Sequence, residues 1–206
     1  MLDNERWLQL LLRLGIDDLN SVIYQQLMAC YNQPQRAYHN QTHIAHCLAE
    51  FDRIKDTAEY TNWIEIAIWF HDAIYDPHES DNELRSADMA ANFLRRKNVG
   101  ESQLELVREL ILATRHDQSP SIHAAEIIID VDLAILGQGE EIYRQYANNI
   151  RREYSWVEDS QYITGRSKVL EQFLAKPRIY STLFMFEKYE TAARKNMERE
   201  LKYLNS

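Results

Sequence analysis

The chain has 206 residues, a length that suits one domain with material for a sizeable core. Only five Gly and four Pro interrupt it, so hydrophobic periods run long and the expected fold class is all-α. A formal charge of −9 offers no electrostatic footprint for a nucleic-acid backbone or an anionic membrane surface. That excludes stable nucleic-acid binding as an expectation and directs any phosphate-bearing substrate to a local cluster of Arg, Lys or metal.

No apolar run approaches the ~20 residues that span a bilayer. The opening Met1-Leu2-Asp3-Asn4-Glu5-Arg6 has neither a basic n-region nor a long apolar h-region. The expectation is therefore no membrane span, no export signal and a cytoplasmic location. Cys30 and Cys47, both within apolar helical patterns, fit free core thiols there, although spacing alone leaves a disulfide open.

In chain order, Trp7, Leu10, Leu11 and Leu14 follow the i, i+3, i+4, i+7 pattern of an amphipathic helix that Gly15 ends. A second helix is expected after Asp17-Asp18, with Leu19, Val22, Ile23, Gln26, Leu27 and Cys30 on one side and a stop at Asn32 and Pro34. The loop from Arg36 runs into a third helix whose buried face is Ile44, Cys47, Leu48, Phe51 and Ile54. His43 flanks that face at the first turn, where it is a metal ligand or a hydrogen-bonded core histidine. His46, about 300° further round, competes for the same role.

Residues 64–77 organise the rest. They are apolar on every side of a helix, which places them in the middle of a bundle, and they close on His71, Asp72 and Asp76. Asn62 with Glu65 reads as a capping box, and Asp76-Pro77 as the stop. An ionised Asp72 inside the protein needs a cationic partner, and the adjacent imidazole points to a metal ion. The plain alternative is a core histidine beside an ordinary C-terminal aspartate.

Ser80 with Glu83, and Ser102 with Glu105, read as two more capping boxes. They start helices burying Leu84, Ala87, Ala91 and Leu94, then Leu104, Val107, Leu110, Ile111 and Thr114. The second delivers Arg115-His116-Asp117 at its C-terminal end. Residues 126–137 would suit a buried strand by their Ile and Val content, but a lone strand has no partner, so they read as a second buried helix ended by Gly137. Asp130 and Asp132 lie in that apolar run. The final third reads as scaffold: a stripe of Tyr143, Tyr146, Ala147, Ile150 and Tyr154; another of Tyr162, Val169, Leu170, Phe173 and Leu174 stopped by Pro177; and a helix from about Thr182 towards Tyr203. With no repeat, low-complexity segment or linker, the whole of 1–206 is read as a single domain.

The buried polar residues, in order, are His43, His71-Asp72, His116 and Asp132, each near the end of a separate expected helix, and bundle cores are where such side chains converge on a metal. This order resembles the HD superfamily of metal-dependent phosphohydrolases, whose pattern is a His, an adjacent His-Asp pair and a later Asp on different helices. It is similar in particular to a bacterial subgroup of predicted HD phosphohydrolases, through Tyr38-His39-Asn40 with His43, Phe70-His71-Asp72-Ala73-Ile74-Tyr75-Asp76-Pro77, Asp81-Asn82-Glu83 with Ser86-Ala87, and residues 130–137. Gly165-Arg166 and Pro177-Arg178-Ile179-Tyr180 extend the likeness over most of the chain.

The resemblance implies an HD-domain-like helical bundle with additional C-terminal helices, and His43, His71, Asp72 and Asp132 as metal ligands. Asp130, two residues away, competes for the last place. Imidazole and carboxylate donors suit a divalent Mn, Fe, Co, Ni or Mg better than a closed structural zinc site. The implied activity is hydrolysis of a phosphate ester by a metal-activated water, with a small phosphorylated substrate, a nucleotide first.

Asp76 reads as an acid or base one helical turn beyond Asp72, or simply as a helix stop. His116 reads as a second-metal or leaving-group residue, or as a cation on a helix dipole. Arg36, Arg115 and Lys168 are the candidate phosphate contacts, against the ordinary role of solvating a surface. His39 would support the site from behind, and His78 and His123 read as loop or cap residues. A rival reading is a catalytically idle, metal-holding domain that binds a nucleotide and regulates a partner. Another is a helical scaffold with structural histidines.

Overall fold

The computed structural model describes residues 3–17, 22–118 and 120–206. The expected second-helix start at Asp18 and Leu19 lies outside the described residues, as do Met1 and Leu2. Among the described residues there are ten α-helices and no strand, so the fold class is all-α. Among the described residues no helix is long and apolar enough to cross a membrane. The chain forms two compact units, Met1–Ile129 and Asp130–Ser206.

The first unit begins with α1 (Asn4–Arg13), capped by the Asp3 carboxylate on the Glu5 N–H and followed by Gly15 at φ +66°, a left-handed position that glycine takes without strain. There follow α2 (Val22–Tyr31), α3 (Gln41–Phe51), α4 (Thr61–Phe70), α5 (Asn82–Arg96) and α6 (Glu101–Ala113). α4 packs against α1, α3, α5 and α6, and every residue from Ile64 to Phe70 is buried, as its all-round apolar pattern requires. Trp7 meets Trp69 edge-on at 5.4 Å, and Phe70 stacks on Phe93 at 5.8 Å. Burying each such ring contributes about 2–3 kcal/mol. The one carboxylate in that apolar run, Glu65, is bonded by Arg6 at 2.7 Å and Arg13 at 2.8 Å, both on α1.

Three expected helix starts are corrected. α4 is capped by Tyr60 in the left-handed region, and Asn62 instead accepts from Arg13. α5 starts after Asp81 and α6 after Gly100, neither with a side-chain cap; Ser102 donates to Gln103 within the helix. α4 also ends at Phe70, not at Asp76-Pro77. The main chain of 72–76 is satisfied by side chains from elsewhere instead of a helical ladder. Arg36 takes the Asp72 and Ala73 carbonyls, Ser86 bonds both polar groups of Ile74, and Asn82 bonds both of Asp76. α7 (His123–Asp132) follows, and the unit boundary falls within it. Its run of Ile is helical, as the lack of a strand partner demanded.

In the second unit a 3-10 turn (Leu133–Gly137) leads to α8 (Glu140–Glu153), α9 (Asp159–Ala175) and α10 (Leu183–Leu204). α10 grips the turn: Asn196 donates to the Leu136 and Gln138 carbonyls, and a Cβ on Gly137 would lie 2.4 Å from Tyr189 Cβ. Asp130, fully buried, accepts from the Ser181 and Thr182 amides and the Thr182 hydroxyl just ahead of α10. Arg166 of α9 forms a two-bond pair with Glu200 of α10, which Tyr143 of α8 also bonds.

Candidate metal centre

His43 is placed by the start of α3. Asn40 caps that helix by accepting from Thr42 N and holds the preceding loop through the Arg36 and Ala37 carbonyls. His43 follows one turn in and is 3% exposed. His71 is the C-cap of α4 and is 2% exposed, and Asp72 begins the turn beyond it.

His71 Nδ1 lies 2.9 Å from the Ile68 carbonyl, which can only accept, so Nδ1 carries the proton and Nε2 presents its lone pair. That nitrogen is 3.1 Å from His43 Nε2, and Asp72 Oδ2 is 3.2 Å from each. Three donors thus form a nearly equilateral triangle. Two ligands at right angles on an ion with bonds of about 2.1–2.2 Å stand about 3.0–3.1 Å apart, against about 3.4–3.6 Å in a tetrahedron. The triangle matches one face of an octahedron more closely. Two neutral rings, one with its lone pair turned inward, bring at most one N–H to three edges, so a cation satisfies the group better than hydrogen bonds alone.

Burial by itself would raise the Asp72 carboxyl. The electrostatic influence of His71, then of His39, with the close contacts to His43 and His71, outweighs it and holds the group well below the usual carboxylate range. Asp72 is therefore ionised wherever the protein is folded near neutrality.

His43, Cys47, His71 and Asp132 each offer one ligand atom within 4.8 Å of the others, and this buried cluster could hold a metal ion. Cys47, read from sequence only as a core thiol, is the member that reasoning missed. The signal was available, since Cys47 follows His43 by one helical turn on the same face. Its sulfur is 3.7 Å from both ring nitrogens of His43, which sets it beside the ring and not in line with the Nε2 lone pair. Both cysteines are free. Asp130, the rival for the last ligand, has its carboxylate engaged ahead of α10.

Other expected site residues are placed differently. Asp76 is not a helical turn beyond Asp72, because the helix has ended. It is half exposed, accepts from the His78 main chain and faces His78 Nδ1 at 2.8 Å, and the bond from that main chain, then the one from the ring, holds its carboxyl below the ordinary value. His116 has a left-handed backbone, φ +59°, and is not among the four clustered residues. Arg115 pairs with Asp117 at 3.3 Å, both half exposed, and Lys168 is exposed on α9. Arg36 is buried with its guanidinium on main-chain carbonyls, which corrects its reading as a phosphate contact. His39 stacks on Tyr75 at 4.1 Å; His46 lies 4.0 Å from Glu50 and outside the cluster; His123 pairs with Glu126 at the start of α7.

No protein-family model matches this chain, and neither does any curated protein or solved structure.

Proposed function

We propose that the chain is a metal-dependent hydrolase of phosphate esters, of the HD type its motifs resemble, with nucleotides as the first substrate class. The observation that supports this most is the triangle of His43 Nε2, His71 Nε2 and Asp72 Oδ2, its two imidazoles buried and that of His71 oriented by the Ile68 carbonyl. His43, His71 and Asp72, with Asp132, would hold a divalent ion of the Mn, Fe, Co, Ni or Mg class. Such an ion, when bound, lowers the pKa of water and polarises a phosphoryl oxygen.

The protein's own contribution is preorganisation. The Ile68 carbonyl keeps the His71 lone pair turned inward, and the bonds from Ser86 and Asn82 hold the turn that follows Asp72. Asp76, with His78 on its carboxylate, and His116 are assigned to proton transfer. Arg115 and Lys168 remain the cations to test against a phosphate.

The test is phosphate release from a panel of nucleotides and generic phosphate esters by protein loaded in turn with each divalent metal. The expected result is turnover that requires metal and falls by about 100-fold or more in His71→Ala. Nucleotide binding without turnover by any loaded form would replace this reading with that of a regulatory domain.

A further inference from the structure

Arg36 is 5% exposed, yet among the described residues its hydrogen bonds go to a side-chain amide and three main-chain carbonyls and to no carboxylate. Nε donates to Gln33 Oε1 at 2.9 Å, Nη1 to the His39 carbonyl at 3.1 Å and the Asp72 carbonyl at 2.6 Å, and Nη2 to the Ala73 carbonyl at 2.9 Å. The guanidinium also lies over the rings of Tyr31 and Tyr75, 5.4 and 5.6 Å from their centroids. A buried cation bonded only to neutral groups is costly, so its charge must serve something other than a simple ion pair. The Asp72 and Ala73 carbonyls it takes lie just past the end of α4, where a cation is also favoured by the negative end of that helix's dipole.

Three of those acceptors belong to the two segments that bear the clustered imidazoles and Asp72. His39 lies in the loop whose Asn40 starts α3 and so sets His43, and Asp72 and Ala73 form the turn that carries the doublet. Tyr75 closes the same arrangement by stacking on His39, and Tyr31 donates to the Trp69 carbonyl in the last turn of α4. We propose that Arg36 is the positioning residue of the metal centre: its planar fork staples the loop before α3 to the turn after α4 and thereby fixes the spacing of His43 against His71 and Asp72. This rests on the metal reading above. A lysine keeps the charge but cannot span three carbonyls in one plane, so the substitution separates fork from charge.

The experiment is cobalt(II) titration of the full chain and of Arg36→Lys, followed by the visible spectrum at saturation. The expected result is cobalt affinity about 10–100-fold weaker in Arg36→Lys, with an altered ligand-field spectrum and an unchanged helical content without metal. A lowered melting temperature with cobalt affinity and spectrum unchanged would make Arg36 merely structural and overturn the inference. If the wild-type chain takes up no cobalt or other divalent ion, the metal reading itself falls, which separates the two failures. Should Arg36→Lys not fold, Gln33→Ala at an exposed position releases one side of the fork. A several-fold loss of cobalt affinity there supports the inference, and an unchanged affinity counts against it.

Discussion

Asp130 and Asp132 stand two residues apart in one apolar run, and their surroundings divide their roles. Asp130 is fully buried with two main-chain amides and a hydroxyl on its carboxylate, a set that engages both of its oxygens. Asp132 is the member whose carboxylate lies within reach of the histidine cluster. Replacing Asp130 by Ala is therefore expected to destabilise the protein by about 2–3 kcal/mol in denaturant titration, through lost charge-assisted hydrogen bonds. Replacing Asp132 by Asn is expected to weaken divalent-metal affinity while leaving the metal-free melting curve nearly unchanged. Equal metal loss in both variants would contradict the division. Helical spacing alone separated the two residues by direction, but it had no access to their partners. The groups that engage Asp130 lie some fifty residues further along the chain. The same applies to Arg36, whose acceptors at 72 and 73 no local pattern reveals.

At the scale of elements, periodicity identified helices well and their ends poorly. The all-round apolar pattern of 64–70 specified a buried helix, and the want of a strand partner made the Ile-rich run of α7 helical. The ends depended on tertiary partners. Asn62 and Ser80 carried the right side chains for caps, yet Arg13 claims the first, and α5 starts only after Asp81, without a side-chain cap. The helix before Asp72 stops six residues short of Asp76 because Arg36, Ser86 and Asn82 satisfy the intervening main chain.

Links between elements also give a pH dependence. Asp52, just after α3, receives two bonds from Arg6 of α1 and one from Lys55. Burial raises its carboxyl, but the Arg6 and Lys55 hydrogen bonds outweigh that and hold it below its ordinary value of 3.8. A depressed folded pKa contributes stability that is complete above the ordinary value and lost as pH falls through the lower one. The wild type is thus expected to exceed Asp52→Asn in melting temperature near neutrality, and the gap should close below about pH 4. A gap constant from pH 7 to pH 3 would contradict this origin.

For the whole molecule, an acidic chain with a buried group of imidazoles and carboxylates gains from a cation that its surface charge does not repel. Because the donors come from separated stretches of sequence, an ion bound to the folded state alone raises apparent stability by about 2.7 kcal/mol at a concentration a hundred times its Kd. The order His43, His71-Asp72, Asp132 was legible in sequence as a resemblance. The closeness of the triangle was not, since it depends on the Ile68 carbonyl and the loop before α3. The most direct measurement is elemental analysis of metal per chain in the wild type and in His71→Ala, after reconstitution with divalent ions and removal of excess. The expected result is about one equivalent or more in the wild type and near none in His71→Ala. A wild type without metal, or a variant that retains it in full, would contradict a metal centre at His71.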